Sequence, residues 1–366
     1  MSVISIEDLE RRLTNFLPDL LRSETSITVN NTGGAGKATT VSIRGEEGYR
    51  TLVRLDGINI SDTSSPQVSP RIGQMLTAGL ERIEILRGPQ GLLYGADAGG
   101  VINITTAAAK SRLNGSVGME TGKYGTNQKV VSMSGGNSKG EFIVTGVKIQ
   151  THGINAKISD TSLSDQDGYQ NETIHAKIAG NVSQNLRLSA VLHDVEAENE
   201  YDTCYTEFFA ISNDCDDSFA QQAWRISAEY SHGDFNHEIS FNKSEIDRIF
   251  YTESVPGFSP EGSLEQYSYL GSYSPKNNSR FVYGAERKQE SMDDGSFSTK
   301  RNQSGYFFEY QHRHDNRLFL TGGVRHDDND HFGSHSSIRV SGAYLIDFDV
   351  GELKLKTAIG TGFRPP

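Results

Sequence analysis

Few side chains in this 366-residue chain stand at spacings that catalysis requires. Gly33-Gly34-Ala35-Gly36-Lys37 comes nearest to a phosphate loop, yet Asn31 stands where its first glycine belongs and Ala38 replaces the hydroxyl residue that would hold magnesium. The run therefore reads as an apical turn. The ten histidines are scattered and none forms HExxH; His312 and His314 share one strand face, where two lumen-lining side chains suit the pattern better than a metal pair. Glu196, Glu198, Glu200, Asp202, Asp214, Asp216 and Asp217 crowd a segment that also holds Cys204 and Cys215. So many carboxylates repel one another unless they are solvated, protonated or neutralised by a hard cation such as calcium, which takes six to eight oxygens. Asp247 could join such a set, although the spacing is not that of an EF-hand. In an oxidising compartment Cys204 and Cys215 would form a disulfide closing a short loop, worth about 3 kcal/mol by loop entropy, with two free thiols as the alternative. No enzyme constellation emerges.

Composition narrows the class. A net charge of -12 argues against a phosphate-binding surface, and so against a nucleic-acid partner. A mean hydropathy of -0.51 suits a soluble protein, but it equally suits a membrane barrel, whose strands are apolar on one face only. There is no apolar run of helical-span length. The opening residues SVISIEDLERRL lack the basic and apolar regions of an export signal, so the chain is expected to begin at or inside a mature protein.

Two grammars divide the sequence into 1–111 and 112–366. In the first, Ser5 to Arg22 has helical spacing with Ser5 as cap, and Pro18 can split it. Ile27–Val29 and Thr40–Arg44 are short strands around the glycine turn, and Leu52–Leu55 pairs with Ile58–Ile60 across Asp56-Gly57. Ile72 to Leu80 reads as a short helix. The stretch Leu80–Thr106 is a strand, a glycine- and proline-rich turn, an apolar pair and a closing strand. From Arg112 on, the period is 2: Leu186, Leu188, Ala190, Leu192; Trp224, Ile226, Ala228, Tyr230; Tyr306, Phe308, Tyr310; Ile338, Val340, Tyr344. The remainder accommodates about twelve strands at roughly ten residues each plus connections.

The motif ERIEILRGPQGLLYGADAGGVINI (Glu81–Ile104), with SIRG (Ser42–Gly45) and LVRLDGINI (Leu52–Ile60), resembles the plug domain of TonB-dependent outer-membrane receptors. Thr151-His152-Gly153, Asp165–Tyr169, Arg325–Phe332 and the terminal GTGFRPP are similar to the barrel of the cobalamin-type branch. The resemblance implies a mainly β fold: a small α+β plug, then an antiparallel transmembrane β-barrel of the roughly 22-strand type, here about twelve strands and so apparently truncated. It implies active transport of a scarce nutrient complex, a corrinoid or an iron chelate, across the outer membrane of a Gram-negative bacterium. The TonB complex of the inner membrane would supply the energy. A surface receptor or adhesion barrel that merely displays loops is the alternative. By the same resemblance, Arg44 and Arg87 would lock plug to barrel through glutamates on strands beyond the FRPP motif. Without those strands both arginines would be left with plug-internal or solvent partners. The apical loops Asn30–Thr39 and Asp62–Pro70, with Asn31, Thr32, Asp62, Ser65 and Gln67, would meet ligand. Asp202, Asp214, Asp216, Asp217 and Asp247 would bind calcium in the loops outside the cell. No other cofactor is implied.

Overall fold

A computed structural model of the chain describes residues 2–88, 91–95, 99–157, 159, 166–276 and 278–362. Asp97, Asp165 and the FRPP motif, all quoted above, lie outside these described residues.

The N-terminal unit begins with a strand, Ser2–Ile4, and the helix Ile6–Arg12. Ser5 and Asp8 form a reciprocal capping box, the Asp8 amide donating to Ser5 Oγ and the Ser5 amide to Asp8 Oδ2. Leu13 turns left-handed and ends the helix, and a second helix, Leu17–Leu21, starts with Pro18 in its first turn, where a missing N–H leaves no bond unmade. The single amphipathic stretch is thus two helices. A five-stranded sheet runs in the order Ser2–Ile4, Leu80–Arg87, Gly100–Thr106, Thr51–Leu55, Ile58–Asn59. Thr51–Leu55 lies parallel to Gly100–Thr106 and the other pairings are antiparallel. The hairpin Ile27–Asn31 with Thr39–Ile43 pairs only with itself. The expected helix over Ile72–Leu80 is no more than a 3-10 turn, Ile72–Gln74. Backbone groups there are committed elsewhere: Leu17 donates to the Met75 carbonyl, and Thr77 to that of Asn15.

After Thr106 the chain enters one large sheet. Its long strands are Asn114–Thr121, Asn127–Gly136, Gly140–Ile154, Asp167–Asn181, Leu186–Tyr201, Cys215–His232, Phe235–Thr252, Glu261–Lys276, Ser279–Asp293, Ser298–His314, Leu318–Asn329, Gly333–Phe348 and Gly351–Gly360. Each pairs antiparallel with the next, and Val255–Pro256 adds a fourteenth, two-residue strand. Among the described residues the first and last strands do not pair with each other. Connections alternate between short turns at one end and longer loops at the other, the habit of outer-membrane barrels.

The two faces divide as the alternation requires. Ile174, Ile178, Leu188, Leu192, Ile226, Ile239, Tyr267, Tyr306, Phe308, Val324, Ile338 and Tyr344 stand exposed on the convex side. Near the short-turn end Phe235, Tyr273, Phe281 and Tyr310 stack across four strands, with centroids 4.4 to 6.2 Å apart, forming the girdle expected at a lipid interface. His312 and His314 continue this outward row beyond Tyr310 instead of lining the lumen, because they share its strand parity. The concave side holds the N-terminal unit. It is less polar than the sequence pattern suggests: Val147, Ile149, Val195, Ala197, Phe219 and Ile246 pack with Leu76 and Phe16, while Val191 and Ala223 join the plug's own core. Burial of these side chains glues the two units together.

Candidate functional site: the interface between plug and wall

The glycine turn docks on the wall. Asn31 shapes it, its Oδ1 accepting from the amides of Gly33 and Gly34 and its Nδ2 donating to the Gly34 carbonyl and to Thr39 Oγ1. Gly36 lies flat on the Tyr169 ring, where a Cβ would come within 1.9 Å of a ring carbon, and a Cβ on Gly33 would meet that of Ala156 at 2.8 Å. Lys37, 3% exposed, donates from Nζ to the carbonyls of Asp167 and Gly168 at 3.1 Å and to Asn199 Oδ1 at 2.8 Å. Burial lowers its pKa to about 8, the nearby carboxylates of Asp167, Glu200, Asp217 and Asp202 opposing the shift. Gln74 completes the dock: its Nε2 donates to the Gly36 carbonyl, and its Oε1 accepts from the Tyr169 hydroxyl at 2.5 Å.

The second apical segment is anchored the same way. Asp62 is buried; its Oδ1 accepts from the Ser64 amide and hydroxyl, and its Oδ2 faces Arg71 at 3.3 Å and Arg248 of the wall at 3.7 Å. Those guanidiniums lie over the rings of Phe219 and Phe250 at 5.9 and 4.4 Å, and neither Nε makes a hydrogen bond among the described residues. Ser65 is half-buried, and Thr32 and Gln67 are exposed. Of the five apical residues, Asn31 and Asp62 thus build and anchor the loops, while Thr32 and Gln67 are exposed at the surface.

The carboxylates are dispersed. Asp217 faces inward and accepts from Asn199 Nδ2 at 2.7 Å; Asp216 points the other way beside Glu200; Asp247 is exposed on the outer face. Among the described residues no three His, Cys, Asp or Glu side chains converge as a metal site, so Asp202, Asp214, Asp216, Asp217 and Asp247 do not form the expected calcium set. Strand alternation separates neighbours to opposite faces, and Lys37 lies near Asp217, Asp202 and Glu200. Cys204 and Cys215 are bonded, with Cα atoms 6.0 Å apart, across the small hairpin Cys204–Tyr205 and Ile211–Ser212.

Deeper in the concavity two charged contacts join the units. Asp56, at the tight turn of the plug hairpin, accepts from Thr106 Oγ1 at 2.5 Å, shares a hydrogen at 2.9 Å with His175 Nε2 of the wall, and lies 3.6 Å from Lys177 Nζ. Burial alone would raise the Asp56 pKa; the His175 bond, the Lys177 ammonium and the Thr106 hydroxyl outweigh it and hold the carboxyl below its ordinary value. Arg325, fully buried, pairs with Asp327 and Glu286 of the wall and donates from Nη1 to the Leu92 carbonyl at 3.3 Å. Leu92 belongs to the short plug helix Gly91–Tyr94, and Gly323 leaves it room: a Cβ there would sit 2.8 Å from Leu92 Cδ1.

Arg44 and Arg87 are not wall contacts among the described residues. Arg87 donates to the Thr25 carbonyl and to Ser2 Oγ, both inside the plug, and Arg44 is exposed at a left-handed turn. Lys37, Asp56, His175, Arg248 and Arg325 take the joining role instead. The sequence signals were a lysine after a glycine run, an Asp-Gly turn, and an arginine within a stretch that carried resemblance.

Comparison with known proteins agrees with this architecture. Residues 1–102 match the family described as the TonB-dependent receptor plug domain. The whole chain aligns with the vitamin B12 transporter BtuB of Photobacterium profundum at 26% identity, and with the iron-regulated outer membrane virulence protein of Vibrio cholerae at 28%. It spans 59% and 57% of those two proteins. In fold, the siderophore receptor PirA from Acinetobacter baumannii superposes with a TM-score of 0.84 at 17% identity, over all of this chain and 61% of that one. A ferric enterobactin receptor from Pseudomonas aeruginosa gives 0.80 at 17%, over all of this chain and 62% of its own. With its plug inside a sheet that is apolar outside, this chain is similar over its whole length to TonB-dependent outer-membrane receptors, and its first 102 residues carry their plug domain.

Proposed function

We propose that the chain forms the ligand-catching and gating part of an outer-membrane receptor that takes up a scarce nutrient complex, drawing its energy from the TonB complex of the inner membrane. One observation carries this reading: a folded stopper fills the concavity of a lipid-facing sheet and is fastened to it at the long-loop end, where ligand would arrive. A barrel that only displays loops has no use for such a stopper.

For the ligand, Arg71 and Arg248 favour an anionic chelate of iron over a corrinoid. Two guanidiniums face the one carboxylate of Asp62, and Arg71 keeps 26% of its side chain exposed, so positive charge is left for an anionic ligand. The test is titration of the full chain in detergent micelles with a ferric catecholate and with cyanocobalamin. Saturable binding of the ferric catecholate, weakened about tenfold by Arg248→Met through loss of roughly 1.4 kcal/mol, is the expected result. Binding of cyanocobalamin alone, indifferent to Arg248, would replace iron by corrinoid, and binding of neither would defeat the uptake reading.

A further inference from the structure

Two buried histidines of the wall each carry a nitrogen that the fold leaves without a hydrogen bond. His175 and His193 are direct cross-strand partners on the concave face, 8% and 6% exposed. Their ring centroids stand 5.7 Å apart, with the planes tilted by 56°. Nδ1 of each is sealed from solvent and bonded to nothing among the described residues, the other Nδ1 included. A buried polar nitrogen of this kind costs free energy unless something pairs with it.

The tautomer of His175 follows from its other nitrogen. Nε2 lies 2.9 Å from Asp56 Oδ2 and 3.0 Å from Thr106 Oγ1. The Asp56 carboxylate only accepts, and the one hydroxyl hydrogen of Thr106 is already given to Asp56 Oδ2. Nε2 therefore carries the ring's proton, and Nδ1 is left with a bare lone pair. An imidazole that donates from one nitrogen to a carboxylate and keeps the other free is arranged as metal ligands are, the carboxylate fixing the ring and raising its basicity. The surroundings are dry: Val191 and Val195 flank His193 on its own strand, and Ala223 opposite it on the next strand is fully buried.

We propose that His175 and His193 form a two-imidazole site for copper(I), resident in the wall where it meets the plug. The number of ligands selects the metal. Zinc and copper(II) usually take four, whereas no third His, Cys, Asp or Glu among the described residues converges with this pair. Copper(I) is satisfied by two imidazoles in line. Charge agrees, since Asp56 and Lys177, 3.6 Å apart, balance each other; a monovalent ion adds one uncompensated charge to the dry site and a divalent ion two. Coordination at Nδ1 strengthens the Nε2–H bond to Asp56, so occupancy tightens plug to wall. The inference stands apart from the uptake reading, because the ion belongs to the wall whatever the receptor carries.

Titration of the full chain in anaerobic detergent micelles, with copper(I) supplied as its coloured bathocuproine complex, tests the site. One equivalent should pass to the chain. His193→Phe, which keeps a ring in place, should abolish the transfer, and Asp56→Asn should weaken binding about tenfold. His312→Ala with His314→Ala removes the outward pair and should leave binding unchanged. Should His193→Phe fail to fold, X-ray absorption of the copper-loaded, unaltered chain decides: two nitrogen neighbours are expected, and sulfur neighbours would overturn the site. No transfer, transfer that survives His193→Phe, or transfer lost with His312 and His314 would overturn it as well.

Discussion

Lys37 of the plug and Asn199 of the wall, 162 positions apart in the chain, meet through a hydrogen bond of 2.8 Å. The amide's other end donates to Asp217 at 2.7 Å, so a neutral side chain carries the lysine's charge to a carboxylate it does not touch. This arrangement leaves the ammonium short of compensation for its lost water, and burial lowers its pKa from 10.5 to about 8.

A pH dependence follows with a definite sign. A docked lysine with a lowered pKa binds fewer protons than a free one between about 8 and 10.5, so docking of the apical turn strengthens as pH rises through that window. The groups facing it are Asp167, Glu200, Asp217 and Asp202. Opening free energies for residues 32–38, taken from amide exchange corrected for base catalysis, should rise between pH 8 and 10.5. A fall over that range would contradict the buried, charged latch.

Acid acts on the other charged dock. Asp56 has a carboxyl held below its ordinary 3.8, so its contribution is complete above that value and is lost as pH falls further and the carboxylate protonates. Protease cleavage within the plug should increase as the pH drops below about 4, and Asp56→Asn should show the increase at neutral pH already. Equal cleavage of the two proteins at both pH values would deny Asp56 that role.

Arg325 is the wall residue whose loss should cost most. With the guanidinium gone, Glu286 and Asp327 become buried charges without their partner, and the Leu92 carbonyl loses its donor. Arg325→Met should destabilise the folded chain by about 3–5 kcal/mol, read from the urea midpoint in detergent. Neutralising the carboxylates as well, with Glu286→Gln and Asp327→Asn, should recover part of that loss. A single-variant effect under about 1 kcal/mol would show that the cluster is not sealed from water.

Much of this was legible in the sequence because period and turn chemistry are local. Trp224, Ile226 and Tyr230 declared an outward face, Asp56-Gly57 a tight hairpin, and Ser5 with Asp8 a helix start. The partners of single charges were not legible, since a contact such as Lys37 to Asn199 depends on which strand passes the plug at that height. Arg87 illustrates the same gap. Its placement on the plug surface was readable from Leu86 and Gly88 on either side, yet its partners, Thr25 and Ser2, lie 62 and 85 positions earlier in the sequence. The acidic segment misled for another reason. Counting carboxylates along a strand ignores that Asp216 and Asp217 face opposite ways.

The most direct test of the whole account uses Trp224, the only tryptophan in the chain, which stands on the convex face against Phe241 with ring centroids 5.1 Å apart. In lipid bilayers its fluorescence should be quenched by acyl chains brominated near the upper carbons and left almost untouched by aqueous iodide. Quenching by iodide with indifference to brominated lipid would mean that the apolar face of the sheet does not meet the membrane, and the account would fall with it.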